Sequence, residues 1–289
     1  MTPWQLIQQW NSKRREAKNG LGTLFVVSLL LSGCGGSSGQ SAQPVQAVGA
    51  TSDSGASSAS SNNTTTTSDT CTAFSGSNSF GQRIIDTESC TLDHAGIERE
   101  YFIHVPEADA DSTPLPLVLS FHGYTSSAEA NLGYTGLQPL AESEKFIAVY
   151  PQGTVLASTG ETHWNSESSA IPSAADDIGF VETLLDELEE ARNIDTDRIY
   201  AIGMSNGGMM SYLLACRLSQ RIAAITSVTG TMTVDSGTCT GSRPVPVMQI
   251  HGIEDAVVPF DGSDSFPSIP ATIEFWAQSN GCVGAAQET

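Results

Sequence analysis

Apolar runs of strand length recur between residues 99 and 252, separated by polar or helix-like stretches. Residues 99–105 alternate apolar and polar positions, as a half-buried strand does. The other runs are almost continuously apolar, which is typical of strands covered on both faces of a sheet. We therefore predict six strands, over 99–105, 115–121, 146–151, 198–204, 222–228 and 245–252.

Three further segments carry a helical pattern, over 176–193, 206–219 and 270–280. The first begins with acidic residues, which suit a helix N-terminus. Its apolar side chains fall on one face, at Ile178, Val181, Leu184, Leu185 and Leu188. Buried strands that alternate with helices predict the α/β class, with a mostly parallel central sheet and helices on both faces.

The first 33 residues resemble an export signal rather than part of this domain. A basic stretch precedes the apolar residues 21–31, a run too short to span a bilayer comfortably. It ends in Leu-Ser-Gly-Cys, which resembles the lipobox of bacterial lipoproteins and predicts lipidation at Cys34. An ordinary secretion signal followed by a chance cysteine is the alternative.

Composition divides the rest of the chain in two. Residues 34–70 hold no aromatic residue and no Lys or Arg, so they predict a disordered Ser/Thr/Gly-rich tether behind the anchor. Residues 71–289 form the predicted folded domain. We therefore expect an exported protein, periplasmic or extracellular, held at the membrane by lipid alone.

The net charge of the chain limits the classes of binding partner that we expect. The chain has 12 Lys and Arg against 32 Asp and Glu, a net charge of −20. Such a surface repels nucleic acid and anionic headgroups, so neither is an expected partner. We expect a monomer without a cofactor.

Five cysteines follow the anchor, and an oxidising compartment favours their pairing. The economical pairs are Cys71 with Cys90 and Cys216 with Cys239, although sequence alone leaves the connectivity open. The odd count suggests that Cys282 pairs beyond residue 289. The spacing and the lack of clustered histidines argue against a zinc or other metal site.

A candidate nucleophile lies where the strand over 198–204 meets the next helix. Gly203-Met-Ser205-Asn-Gly207 fits the Gly-x-Ser-x-Gly pattern, which alone is weak, since Gly35, Ser37 and Gly39 also fit it. A strand–turn–helix context is what a nucleophile elbow needs. The alternative is a glycine-rich turn without chemistry.

Two other segments supply the partners of a serine nucleophile. His122-Gly123 follows an early strand and predicts oxyanion donation from the backbone amide of Tyr124, together with that of Asn206. His122 itself is interpreted as a loop-orienting residue.

Asp255 follows the last predicted strand and suits the acid that orients an imidazole, since the order of such a triad is Ser, Asp, His. Its rivals, Asp176 and Asp177, precede Ser205 and better suit a helix cap.

These motifs, from residue 92 to 283, resemble the polyhydroxybutyrate depolymerase/feruloyl esterase family of exported α/β-hydrolases. The resemblance implies the α/β-hydrolase fold, Ser205 as nucleophile, Asp255 as acid, and oxyanion donation from Asn206 and Tyr124. It also implies that Trp164 contacts substrate, with a buried packing role as the alternative.

The family places its histidine downstream of the last helix, and no histidine follows Asp255 in this sequence. We therefore expect the triad histidine to be absent and the domain to be truncated at its C-terminus. His163 as a substitute base is the alternative. The expected function is a serine carboxylic-ester hydrolase. The alternatives are an impaired remnant or surface binding lipoprotein, and an exported serine peptidase of the same fold.

Overall fold

A nine-stranded mixed sheet forms the centre of the fold. The computed structural model describes residues 26–31, 70–77, 81, 83–107, 113–239 and 241–283. The strands within these residues are β1 (Val26–Leu31), β2 (Thr70–Ser77), β3 (Arg83–His94), β4 (Ile97–His104), β5 (Leu115–Phe121), β6 (Ile147–Pro151), β7 (Thr154–Val155), β8 (Thr162–His163), β9 (Ile194–Met204), β10 (Ala224–Val228) and β11 (Val247–Gly252). The helices are α1 (Ala128–Thr135), α2 (Leu137–Glu144), α3 (Asp177–Ala191), α4 (Asn206–Arg217) and α5 (Ile269–Ser279).

The strand order is β1-β11-β10-β9-β5-β6-β4-β3-β2, and β7 pairs with β8 in a separate small hairpin. The middle of the sheet, from β11 to β6, is parallel. The strands β4, β3 and β2 continue it in antiparallel pairing on one side. Because the carboxyl ends of parallel strands share one edge, the loops after β5, β9 and β11 meet there. The predicted α/β architecture is confirmed.

Two apolar clusters cover the two faces of the sheet. Alternate strand residues such as Leu117, Leu119 and Val149 pack with α3 and α4 in the larger cluster. Their neighbours, including Ala148 and Tyr150, pack with α1 and α2 in the smaller one. This division follows from the two-residue period of a strand, which sends successive side chains to opposite faces.

Most of the predicted elements are present with shifted ends. The strand predicted over 115–121 has the observed bounds, and the helix predicted over 176–193 is α3. The hairpin β2–β3 and the helices α1 and α2 were not predicted. Their residues lack a strong alternation: β2 reads TCTAFSGS, and α1 reads AEANLGYT.

Part of the predicted export signal lies in the sheet. Residues Val26–Leu31 pair antiparallel with β11, from Val26 opposite Gly252 to Leu31 opposite Val247. The rest of residues 1–33 and almost all of the predicted tether lie outside the described residues, as does Cys34. Removal of the leader stays a prediction, and it would uncover the edge of β11.

Two disulfides fix the domain. Cys71 bonds Cys90 across the β2–β3 pair, where the two residues are directly opposite, and Cys216 in α4 bonds Cys239. Both predicted pairings are confirmed, and Cys282 lies outside these two bonds. No helix among the described residues combines the length and apolarity that crossing a bilayer requires.

Candidate active site

Ser205 occupies the sharp turn between β9 and α4. Its backbone has φ 53° and ψ −120°, a conformation that costs free energy for any residue except glycine. Two hydrogen bonds hold it there: its N–H donates to the Val228 carbonyl over 2.8 Å, and its carbonyl accepts from the Met209 N–H over 2.9 Å. The turn therefore has the geometry of a nucleophile elbow.

The motif needs glycine at both flanking positions because other backbone atoms lie too close for a side chain. A Cβ atom on Gly203 would lie 2.3 Å from the carbonyl carbon of Gly207. A Cβ atom on Gly207 would lie 2.2 Å from the Phe121 carbonyl oxygen. Both distances are far shorter than van der Waals contact. Glycine at position 207 therefore lets the elbow pack directly against the end of β5.

The loop after β5 lies beside the serine. A Cβ atom on Gly123 would be 3.7 Å from the Ser205 Cβ and 3.5 Å from the Met204 carbonyl oxygen. Tyr124 is the next residue of this loop, and Asn206 begins α4, where amides have no acceptor within the helix. The structure thus brings together the two segments predicted to supply an oxyanion hole.

His122 orients this loop, in agreement with its interpretation from the sequence as a loop-orienting residue. The ring is fully buried. Its Nδ1 donates to the Gly123 carbonyl over 2.8 Å, and its Nε2 accepts from the Gly153 N–H over 3.0 Å. Burial lowers the pKa of His122 below its ordinary value of 6.5, against the bond to Gly123 and the charge of Asp177, which raise it. A neutral ring is what this pair of bonds needs.

The side chain of Asn206 has a role that the sequence did not reveal. Its Oδ1 accepts from the Trp164 N–H over 2.7 Å, and its Nδ2 donates to the Trp164 carbonyl over 3.0 Å. Asn206 is fully buried. The start of α4 is therefore bound to the segment after β8. The only signal in the sequence is a polar residue directly after the nucleophile, where a buried position demands a partner.

Trp164 packs inside the protein. Its side chain is fully buried, its ring is parallel to that of Phe180 and edge-on to that of Phe121, and its Nε1 donates to the His122 carbonyl over 3.1 Å. A ring enclosed in this way has no face for a substrate. The structure favours the packing alternative over the predicted substrate contact.

Asp255 lies in the loop after β11 with one oxygen fixed. Its Oδ1 accepts from the Val257 and Val258 N–H groups over 2.8 and 2.9 Å. Its Oδ2 lies 3.7 Å from the His251 Nε2, beyond hydrogen-bond distance. The carboxylate is therefore oriented by backbone while Oδ2 keeps capacity for another donor.

His251 closes the same loop onto the sheet. Its Nε2 donates to the Val258 carbonyl over 2.8 Å, and its Nδ1 accepts from the Gln249 amide over 3.0 Å. The Oε1 of Gln249 in turn accepts from the Tyr212 hydroxyl over 2.7 Å. This buried chain of bonds explains why the Asp255 loop has a fixed shape.

The rival carboxylates are engaged elsewhere. Asp176 is the N-cap of α3 and accepts from the Gly179 N–H over 3.0 Å, as its capping interpretation predicted. This bond and the one from His94 lower the pKa of Asp176. Asp177 is buried and forms an ion pair with Arg99 over 2.8 Å.

No hydrogen bond or ion pair within the described residues joins a histidine to Ser205. The five histidines contact other groups: His94 with Asp176 and Thr183, His104 with Glu142, His122 with Gly123 and Gly153, His163 with Thr154, and His251 with Val258. In particular, the His163 Nδ1 lies 2.9 Å from the Thr154 carbonyl in the β7–β8 hairpin.

The fold and the elbow define an α/β-hydrolase. The chain belongs to the phospholipase/carboxylesterase family, whose model matches residues 113–269. A solved thermostable esterase shares the fold, with a TM-score of 0.55 and 18% identity over 73% of this chain and 60% of its own.

Several relatives are named as esterases. A probable feruloyl esterase C of Aspergillus flavus is 30% identical, covering 74% of this chain and 73% of its own length. The putative esterase NocK of Nocardia uniformis is 33% identical, covering 60% and 50%. The bifunctional acetylxylan esterase/xylanase XynS20E of Neocallimastix patriciarum is 30% identical, covering 59% and 23%. The chain thus spans half or less of the last two proteins. The predicted resemblance to feruloyl esterases is confirmed.

Proposed function

We propose that this chain is an exported serine carboxylic-ester hydrolase that acts through an acyl-enzyme. The strained elbow at Ser205, next to Gly123 and at the start of α4, is the observation that carries the proposal. Such a turn exposes a hydroxyl to substrate while the adjacent amides face the developing negative charge.

The reaction follows from these positions. The Ser205 Oγ attacks the ester carbonyl and gives its proton to a base, and the amides of Asn206 and Tyr124 stabilise the oxyanion. The C–O bond to the alcohol then breaks, and the alcohol leaves with that proton. Water attacks the acyl-enzyme in the same way and releases the acid.

In this proposal none of the five histidines of the chain is the base. Each of those contacts groups other than Ser205, and the Asp255 Oδ2 makes no short bond to His251. An imidazole placed between Ser205 and Asp255 would donate to that oxygen and accept the serine proton. A chain without it keeps only the acceleration from oxyanion donors and binding, about 10³–10⁴-fold over water.

The proposed substrates are carboxylic esters of polymers. The relatives named as feruloyl and acetylxylan esterases support feruloyl or acetyl groups on polysaccharide. Polyhydroxyalkanoate is a further candidate, which rests on the family resemblance alone. The two disulfides support export, because such bonds persist in oxidising compartments.

Ester hydrolysis with and without imidazole tests this proposal. The substrates are p-nitrophenyl acetate, methyl ferulate, acetylated xylan and a polyhydroxybutyrate suspension. We expect slow turnover by the chain alone and a clear acceleration by added imidazole, which enters as the base. The Ser205→Ala variant should lose both the slow turnover and the acceleration. The rate that remains with this variant measures the hydrolysis that imidazole causes in solution, and it is subtracted from the rate of the parent chain. Ser236→Ala, at an exposed serine, is the matched control.

The alternatives give other outcomes. A surface binding protein or remnant would show no Ser205-dependent rate with any ester, with or without imidazole. A serine peptidase would cleave peptide anilides in preference to esters. Full activity without imidazole, lost in His163→Ala, would identify His163 as the base and overturn the proposal that none of the chain's five histidines has this role.

A further inference from the structure

A cleft lies beside the β7–β8 hairpin, which follows the end of β6. Its volume is about 440 Å³, within the range of small-molecule sites. Its walls are residues 154–158, His163, residues 172–175 and Ile97. No Asp, Glu, Lys or Arg occurs among these residues. The cleft is therefore suited to an uncharged ligand.

The rim of the cleft is aliphatic and exposed. Ile97 is 57% exposed and Val155 62%, whereas large apolar side chains elsewhere in the described residues are mostly buried. Leu156 and Pro172 also line the cleft. Apolar surface left in water at a concave site is typical of a place where an apolar ring packs.

Two residues that line the cleft each hold a buried polar atom with no hydrogen-bond partner among the described residues, the Nε2 of His163 and the Oγ1 of Thr154. The His163 side chain is 1% exposed. Its Nδ1 faces the Thr154 carbonyl, which can only accept, so Nδ1 carries the hydrogen and Nε2 of the neutral ring is an acceptor. An acceptor buried without a donor costs free energy that a ligand hydroxyl would recover.

We propose that this cleft binds a hydroxylated aromatic ring. The ring face packs on Ile97, Val155 and Pro172, and the phenolic hydroxyl donates to the His163 Nε2 while the Thr154 Oγ1 donates back to it. A sugar ring also offers hydroxyl donors. The phenol is favoured because the aliphatic rim matches a ring with one hydroxyl, and a sugar brings several that would meet only apolar groups.

The cleft is separate from the candidate active site but linked to it. Neither Ser205 nor Tyr124 lines it. The hairpin that forms one wall contacts the oxyanion loop, through the Thr125 N–H to the Thr162 carbonyl and the Tyr124 hydroxyl to the Thr159 Oγ1, both over 2.9 Å. Binding here requires no ester hydrolysis, so the proposal stands apart from the proposed function.

A matched pair of ligands tests it: 4-methylphenol and its methyl ether, 4-methylanisole, each titrated into the chain by saturation-transfer NMR. We expect the phenol to bind about tenfold more tightly, because the ether cannot donate to the His163 Nε2. Methyl xyloside is the sugar arm and should bind more weakly than the phenol. Equal affinity for phenol and ether would overturn the proposal, and preference for the xyloside would overturn the choice of a phenol.

Two cleft variants and one control variant separate binding from folding. Thr154→Val removes the unpaired hydroxyl and keeps the shape, so it should weaken phenol binding about fivefold while the melting temperature stays equal or rises. Val155→Ser should weaken both ligands, whereas Leu140→Ser, at an exposed leucine on α2, should weaken neither. Unchanged phenol affinity in Thr154→Val would overturn the hydrogen bond to the Thr154 hydroxyl, and no saturable binding of any ligand would overturn the proposal as a whole.

Discussion

The Asn206 side chain forms two hydrogen bonds with the backbone of Trp164. The Trp164 N–H donates to the Asn206 Oδ1 over 2.7 Å, and the Asn206 Nδ2 donates to the Trp164 carbonyl over 3.0 Å. Asn206 follows the candidate nucleophile, and Trp164 follows the β7–β8 hairpin that contacts the oxyanion loop. One amide side chain therefore holds two parts of the site together. Because it satisfies both backbone groups of a buried residue, it acts on stability as well as on position.

Replacement of Asn206 by alanine should cost about 2–4 kcal/mol of the free energy of unfolding, because it leaves the Trp164 N–H and carbonyl buried without partners. Urea unfolding followed by tryptophan fluorescence measures this. Asn206→Asp keeps the acceptor for the Trp164 N–H and should retain more stability than Asn206→Ala. An alanine variant as stable as the parent would contradict the bridging role.

The free energy of unfolding should fall as the pH drops below about 6.5, because of His122. Above its ordinary value of 6.5 the ring is neutral in both states. Below it, the unfolded chain takes up a proton that the buried ring resists, since burial lowers the folded-state pKa. For one proton, the free energy of unfolding falls by up to about 1.4 kcal/mol per pH unit until the pH reaches the lowered pKa of the folded state.

Urea unfolding between pH 5 and pH 8, a range that brackets the ordinary histidine pKa, measures this slope. The His122→Gln variant is the control and should be less stable but flatter over that window. Asp177 and His163 also act on the ring electrostatically, and both remain in the control. An equal slope in parent and variant would show that other groups carry the pH dependence.

Opening the Cys216–Cys239 bond should destabilise the domain by about 3 kcal/mol, as expected for a loop of its 23-residue separation. The double variant Cys216→Ala with Cys239→Ala, unfolded in urea, tests the magnitude. Alkylation of the non-reduced chain, followed by mass spectrometry, should leave Cys71, Cys90, Cys216 and Cys239 unlabelled. A label on Cys216 or Cys239 would refute that pair.

Metabolic labelling with palmitate should mark the chain at Cys34 when it is expressed in a bacterial host. The reason is the basic stretch, short apolar run and Leu-Ser-Gly-Cys sequence at its N-terminus. The Cys34→Ser variant should be unlabelled and released from membranes. Label that persists in this variant would rule out lipidation at Cys34.

The sequence predicted the elements whose pattern is strong. The strand over 115–121 and the helices that became α3 and α4 have apolar residues at the right period, so burial alone identifies them. The hairpin β2–β3 was not predicted because its Thr- and Ser-containing strands show little alternation, and β2 lies at the sheet edge, where little is required. The helices α1 and α2, eight residues each, are too short for a clear period.

The site was predictable where chemistry restricts the residue type. Gly203 and Gly207 flank Ser205 because no side chain fits, and this leaves a motif in the sequence. The bond between Asn206 and Trp164 leaves none, because 42 residues separate the partners and only the folded chain brings them together. The sequence also left open whether Trp164 is buried, because an aromatic residue in a loop suits a core or a cleft equally well.

Acylation of Ser205 tests the central claim most directly. The chain is mixed with excess p-nitrophenyl acetate, quenched in acid and digested, and the peptide that contains Ser205 is weighed. We predict one acetyl group on Ser205 in the parent chain and none on that peptide in Ser205→Ala. Deacylation also needs the base, so the acetyl group should accumulate without imidazole and decline with it. An unmodified Ser205 peptide, or equal acetylation of other serines, would contradict its assignment as the nucleophile.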